Sequence, residues 1–275
     1  MSDLSILMKF EFLPNEMLME CFKYLNALDI FYSFDLLNYR FSRLIRNIPL
    51  HVDFQCIRKS FFDKFCIKML LNPEIKNQIY SLHLSDKDTC GQINAFLSFF
   101  SFNEFSNLQS LTLNENKNNN VEILEWILPL SPKLHSLISK RLFDSLTLID
   151  KISSVKKLTI SKCQSKELCQ ILQCMPMLNC LNIENFSIYY ESINNETCCC
   201  DYIAWNLKRL IIDKFQNDFE DFEKFIKQIP NLKSLTISTD NKLNMFDAYR
   251  WENLISSSLP YLNIFNIHLY NTIHI

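Results

Sequence analysis

The sequence predicts an α/β fold in which short parallel strands alternate with outer helices, preceded by a small all-helical module. Three observations carry that expectation. From residue 79 a six-residue pattern, apolar-x-x-apolar-x-apolar, recurs eight times at intervals of 21 to 30 residues. Helix-like runs lie between the copies. Ahead of them, residues 13–45 carry three amphipathic helical patterns in a stretch too short to build a core of its own.

The helical stretch opens on Leu13-Pro14, and proline suits a helix's first turn, where its missing N–H has no partner to lose. Met17, Leu18, Cys21, Phe22 and Leu25 then fall on one helical face, with Glu16 placed to favour the helix dipole. Asn26-Ala27-Leu28 reads as a connector, and Asp29 as the N-cap of a second helix through Phe34. Phe41, Leu44, Ile45 and Ile48, with Arg40, Arg43 and Arg46 between them, suggest a third helix closed by Pro49.

Residues 10–52 thereby resemble an F-box, a trihelical motif opening on Leu-Pro. The likeness runs through Leu13-Pro14, Glu16-Met17-Leu18, Phe22, Leu25, Asp29-Ile30 and the apolar positions of the last helix. It departs at Phe41, where many F-boxes carry tryptophan. The resemblance implies docking onto a Skp-family adaptor, and through it onto a cullin-RING ubiquitin ligase. The implied adaptor-binding residues are Leu13, Pro14, Met17, Leu18, Phe22, Leu25 and Ile30.

Residues 51–78 bridge the two parts. HVDF at 51–54 reads as a first strand and IRKSFFDKFCIKMLL at 57–71 as a helix stopped by Asn72-Pro73. No Gly/Ser/Pro-rich linker separates them, so a rigid join is expected.

The hexamers are IYSLHL from Ile79, LQSLTL from Leu108, LHSLIS from Leu134, VKKLTI from Val155 and LNCLNI from Leu178. LKRLII from Leu207, LKSLTI from Leu232 and LNIFNI from Leu262 follow. The third copy is weak, since Ser139 takes an apolar position. Helical runs are expected at 121–130, 165–175 and 218–229, and 143–152, despite the hexamer-like FDSLTL, reads as the helix of the weak copy. Over residues 79–270 this pattern resembles divergent leucine-rich repeats, which implies a solenoid of parallel strands and outer helices. The expected domains are thus 10–52, the F-box, and 53–275, the leucine-rich-repeat-like solenoid.

The third and fifth hexamer residues should face away from the core, on the inner curve where repeat proteins bind. The third residues are Ser81, Ser110, Ser136, Lys157, Cys180, Arg209, Ser234 and Ile264. The fifth are His83, Thr112, Ile138, Thr159, Asn182, Ile211, Thr236 and Asn266. From these, Ser81, His83, Thr112, Lys157, Thr159, Asn182, Arg209, Ile211 and Thr236 are the expected client-binding residues. Lys157 and Arg209 are the only charges among the sixteen, so a strongly acidic or phosphorylated client is not expected.

Composition narrows the function further. The single glycine, Gly91, leaves no phosphate loop, dinucleotide fingerprint or nucleophile elbow. Left-handed turns are expected from asparagine instead, as in NENKNNN at 114–120. A formal net charge of −2 argues against a nucleic-acid binder. No run is long enough to span a membrane and the first twelve residues lack a signal core, so a cytoplasmic or nuclear protein is expected. The sequons at Asn185 and Asn195 should then stay unmodified. The 11 cysteines should be reduced and largely buried.

Cys163, Cys169, Cys174 and Cys180 lack the C-x-x-C spacing of a zinc site, and Cys198-Cys199-Cys200 lies in the longest insertion, 184–206. The five histidines form no recognisable catalytic or metal-binding pair. No catalysis, metal or cofactor is expected. The expected role is a substrate-recognition adaptor of a Skp–cullin–F-box ligase with an unknown protein client. The alternative is a leucine-rich-repeat scaffold unconnected with ubiquitination.

Overall fold

A computed structural model of the chain describes residues 10–114, 133–139, 154–188, 202–240, 245 and 247–270. The expectations for 115–132, 140–153 and 189–201, including the helices at 121–130 and 143–152 and Cys198–Cys200, lie outside them. The chain forms two compact units, Met1–Leu108 and Gln109–Ile275. It is an α/β fold in which every described strand is parallel to its sequence neighbour within its unit.

The first unit begins with three short helices, α1 (Asn15–Phe22), α2 (Ala27–Phe34) and α3 (Tyr39–Ile45). Leu18, Phe22, Leu28, Ile30, Phe41 and Ile45 are buried among them. Pro14 stands at the N-cap of α1. The cap of α2 is Asn26 rather than Asp29, whose side chain is exposed in the first turn. Asn26 Oδ1 accepts from Leu28 N–H at 3.3 Å and from Asp53 N–H at 3.1 Å, while its Nδ2 donates to Asp53 O at 2.7 Å. One side chain thus caps a helix and pairs with strand backbone, a reach that local sequence cannot disclose. The third helix ends at Ile45, earlier than expected, because Ile48 turns inward beyond the helix and is buried there.

Strand β1 (Leu50–Asp53) is where HVDF was expected, and it pairs with β2 (Ile79–Ser85). Between them run α4 (Lys59–Leu71) and α5 (Glu74–Gln78), and α6 (Gln92–Phe99) follows β2. The helices α5 and α6 were not foreseen in the sequence. The helical start is joined to this part by packing rather than a linker. Phe31 meets Phe65 edge-on at 5.5 Å, Lys68 pairs with Asp35, and Gln78 Nε2 donates to Ile45 O at 3.0 Å.

The second unit holds β3 (Ser110–Asn114), β4 (Ser136–Ser139), β5 (Lys157–Gln164), β6 (Cys180–Ser187), β7 (Arg209–Phe215), β8 (Ser234–Asp240) and β9 (Ile264–Tyr270). The strands pair in chain order, and each hexamer position lies beside the same position of the next copy: Leu111, Leu137, Leu158, Leu181, Leu210, Leu235 and Phe265 form one row. The first hexamer residue precedes its strand, because strand hydrogen bonding starts at the third. The carbonyl of the second residue bridges this start. His135 O, for example, accepts from both Lys156 N–H and Lys157 N–H at 2.9 Å.

Helices α7 (Ser165–Cys174), α8 (Phe219–Ile226) and α9 (Ala248–Ser258) cover one face of the sheet. Phe222 packs on Phe215 at 5.4 Å and Trp251 on Phe265 at 4.8 Å. The first two helices lie where the sequence placed them. The third was not foreseen. From β3 to β8 the first, fourth and sixth hexamer residues are at most 3 % exposed. Ser139 keeps its core position in the weak copy at 1 % exposure.

Two substitutions test these supports by denaturant titration. Phe222→Ala, which empties a fully buried ring site, should cost about 3–5 kcal/mol, and Asn26→Ala about 1–2 kcal/mol. Wild-type stability in either variant would contradict the packing or the clip.

Candidate functional site

Two surfaces stand out, one on each unit. On the first, the exposed apolar residues are concentrated around the three opening helices. Phe12, Met17, Tyr24, Leu36, Leu37 and Tyr39 are all more than half exposed. Arg40 fastens the chain entering α1 to the start of α3. Its Nε donates to Asn15 Oδ1 at 2.7 Å, its Nη1 to Glu11 O at 2.6 Å and its Nη2 to Leu13 O. A single guanidinium therefore holds residues 11–15 beside Tyr39, so Phe12, Pro14 and Tyr39 share a neighbourhood.

Of the seven residues expected to bind an adaptor, the structure divides the roles. Pro14 and Met17 are exposed, and Leu13 and Leu25 are half-buried. Leu18, Phe22 and Ile30 are at most 1 % exposed and pack the helices onto each other. Those three maintain the surface and do not line it in this conformation. The sequence reading missed Leu36, Leu37, Tyr39 and the Arg40 clamp. Leu36 is 87 % exposed and adopts a φ of 71°. A leucine there carries the steric cost of left-handed backbone, roughly 1–2 kcal/mol, without burial to offset it.

Among the described residues, the other left-handed residue besides Leu36 and Gly91 is Cys56, with a φ of 58°. Left-handed backbone there falls on Leu36, Cys56 and Gly91, and the asparagine-rich stretch expected to supply such turns lies, over 115–120, outside the described residues.

The second surface is the strand face opposite the helices. Within the second unit the register sets Ser110, Ser136, Lys157, Cys180, Arg209, Ser234 and Ile264 in one row. Thr112, Ile138, Thr159, Asn182, Ile211, Thr236 and Asn266 form a second row. All are half-buried or exposed, and no described helix covers them. Of the expected client-binding residues, Thr112, Lys157, Thr159, Asn182, Arg209, Ile211 and Thr236 therefore come together. Ser81 and His83 belong to the first unit, beside His51 and Asp53, where His83 Nδ1 lies 3.0 Å from Asp53 Oδ1. Asn182 Oδ1, in the second row, is buried without a hydrogen-bond partner among the described residues.

Among the described residues no group of three or more His, Cys, Asp or Glu is arranged to hold a metal ion. No described helix is long and apolar enough to cross a membrane. The expectation of reduced thiols needs one correction. Cys169 on α7 is disulfide-bonded, while Cys21, Cys56, Cys66, Cys90, Cys163, Cys174 and Cys180 are free. Among the eight described cysteines one is bonded and seven are free, and of the free ones Cys66 and Cys163 are buried while Cys56 and Cys90 are exposed, so the expectation of largely buried thiols is not met there.

Burial separates the free thiols. It pushes Cys66 up to about 12 and Cys163 well above the ordinary range, with Asp63 and Glu167 adding to the effect. Alkylation read by peptide mass spectrometry at neutral pH should label exposed Cys90 in the native protein. Cys66 and Cys163 should react only after denaturation, and prompt native labelling of either would contradict their burial.

No protein-family model and no curated protein matches the chain.

Proposed function

We propose that this chain is the substrate-recognition subunit of a Skp–cullin–F-box type ubiquitin ligase. Its opening helices act as an F-box that docks on a Skp-family adaptor. Its repeats act as a leucine-rich-repeat-like solenoid that holds a protein client on the bare strand face. The chain itself performs no chemistry. It raises the effective concentration of client lysines near a ubiquitin-charged enzyme by holding both. This places it in the cytosol or nucleus.

The observation that carries the proposal is the surplus of exposed apolar side chains on three short helices whose buried residues already pack on one another and on the rest of their unit. Solvating Phe12, Met17, Leu36, Leu37 and Tyr39 is unfavourable, and their burial on a partner supplies binding free energy at about 25 cal/mol per Å². The left-handed Leu36 supports the same reading. Backbone strain kept at an exposed leucine is more readily understood if that side chain has a contact to make.

A second reading is a repeat scaffold unconnected with ubiquitination, in which the opening helices only cap the array. The Asn26 clip on Asp53 and the Phe31–Phe65 contact favour it, because both tie α2 to its own unit. It predicts no adaptor binding, and aggregation when residues 1–50 are removed.

Co-precipitation with a Skp-family adaptor separates the two. The wild type should retain the adaptor. Pro14→Ala/Met17→Glu, which alters exposed positions only, should retain at least tenfold less with an unchanged melting temperature. No adaptor in the wild-type sample would overturn the proposal.

A further inference from the structure

The second unit has a charge asymmetry that the third and fifth hexamer positions do not reveal. Register places the second residues of successive copies side by side: Lys233 N–H donates to Lys208 O at 2.8 Å, and Lys208 N–H to Asn179 O at 2.9 Å. Lys156, Lys208 and Lys233 therefore join Lys157 and Arg209 along the edge where the strands begin. All five are exposed. None forms an ion pair or side-chain hydrogen bond with a described residue.

No Asp or Glu occurs within residues 153–157, 176–180, 205–209, 230–234 or 260–264, which make up this edge from β5 to β9. Just past the hexamers, by contrast, Glu184 and Asp213 balance Lys162 and Lys214. Like charges on neighbouring strands repel, and at physiological salt the screening length is about 8 Å, so strands about 4.8 Å apart share one positive potential.

We infer that the strand-start edge of β5 to β8 binds an acidic peptide segment of the client. The inference rests on the strand face being the client surface, and it replaces the expectation that an acidic client is excluded. The three strand spacings from β5 to β8 amount to about 14 Å, which an extended peptide covers in about four or five residues. Carboxylates or phosphates on such a segment meet five cations that have no competing anion among the described residues. Peptide is favoured over nucleic acid on two grounds. Trp205, just before β7, is the one exposed ring on this edge from β5 to β8, short of the succession of aromatic side chains on which neighbouring bases stack, and the whole chain carries a net charge of −2.

The probe is a fluorescein-labelled hexaglutamate peptide titrated with the full chain and followed by anisotropy. Binding should weaken as sodium chloride rises from 50 to 300 mM. Lys208→Glu/Lys233→Glu should weaken it at least tenfold, and Lys162→Glu/Lys214→Glu, past the far end of the hexamers, less than twofold. Circular dichroism and retained capture of the Skp-family adaptor report that the variants are folded.

The assignment is overturned if the wild type does not bind the peptide or if the two variants weaken it equally. Tighter binding of a single-stranded RNA hexamer also overturns it and makes the edge a nucleic-acid surface. Failure of the client-face reading gives a different result. Thr159→Arg would then leave capture of clients, identified after proteasome inhibition, unchanged, while hexaglutamate binding still followed the Lys208→Glu/Lys233→Glu substitution and kept the edge assignment.

Discussion

Register is the constraint on which the second unit depends. Each strand meets the next at the same hexamer position, so a slip of one residue would turn the leucine row outward and bury serine, threonine and lysine. Two forces fix it. Burial of the first, fourth and sixth residues rewards only one phase, and the carbonyl of the second residue, accepting two N–H groups from the following copy, holds the strand start. Because register aligns the core, it also aligns whatever lies on the open face. A binding surface made of rows is a by-product of how the core is packed.

That explains what the sequence disclosed and what it withheld. The strand rows were legible because a period of two with strong burial leaves a regular trace, as in LKSLTI from Leu232, whose Leu235 and Ile237 are fully buried and whose Ser234 and Thr236 are not. The helices α7 and α8 were legible from their apolar spacing. Contacts that join distant residues left no such trace. Asn26 reaches Asp53, 27 positions on, and Arg40 reaches back 29 positions to Glu11. Either residue, read locally, looks like an ordinary polar surface position. The lysine edge was hidden for another reason. Lys156, Lys208 and Lys233 sit at hexamer positions with no fixed orientation relative to the face until register places them side by side.

The scarcity of glycine has a structural consequence as well. Gly91, at a φ of 77°, precedes α6, and among the described residues the two other left-handed positions fall to Leu36 and Cys56. A chain that builds turns from ordinary side chains exposes those side chains at the turns. In the first unit this puts a leucine at the tip of the α2–α3 connection, beside Leu37 and Tyr39. In the proposed function, turn and contact are then one feature.

The two surfaces would bind by different physics. The helical surface is apolar, and its affinity would depend on buried area and show in the dissociation rate. The strand-start edge is cationic, and its contribution would show in association rate and salt dependence. Such a division suits an adaptor that stays with its ligase and exchanges clients. Hydrogen–deuterium exchange of the full chain with and without a Skp-family adaptor tests that account most directly. Protection confined to residues 12–40, with exchange in β3 to β9 unchanged, is the predicted result. No added protection in 12–40, or protection spread over the strands of the second unit, would contradict it.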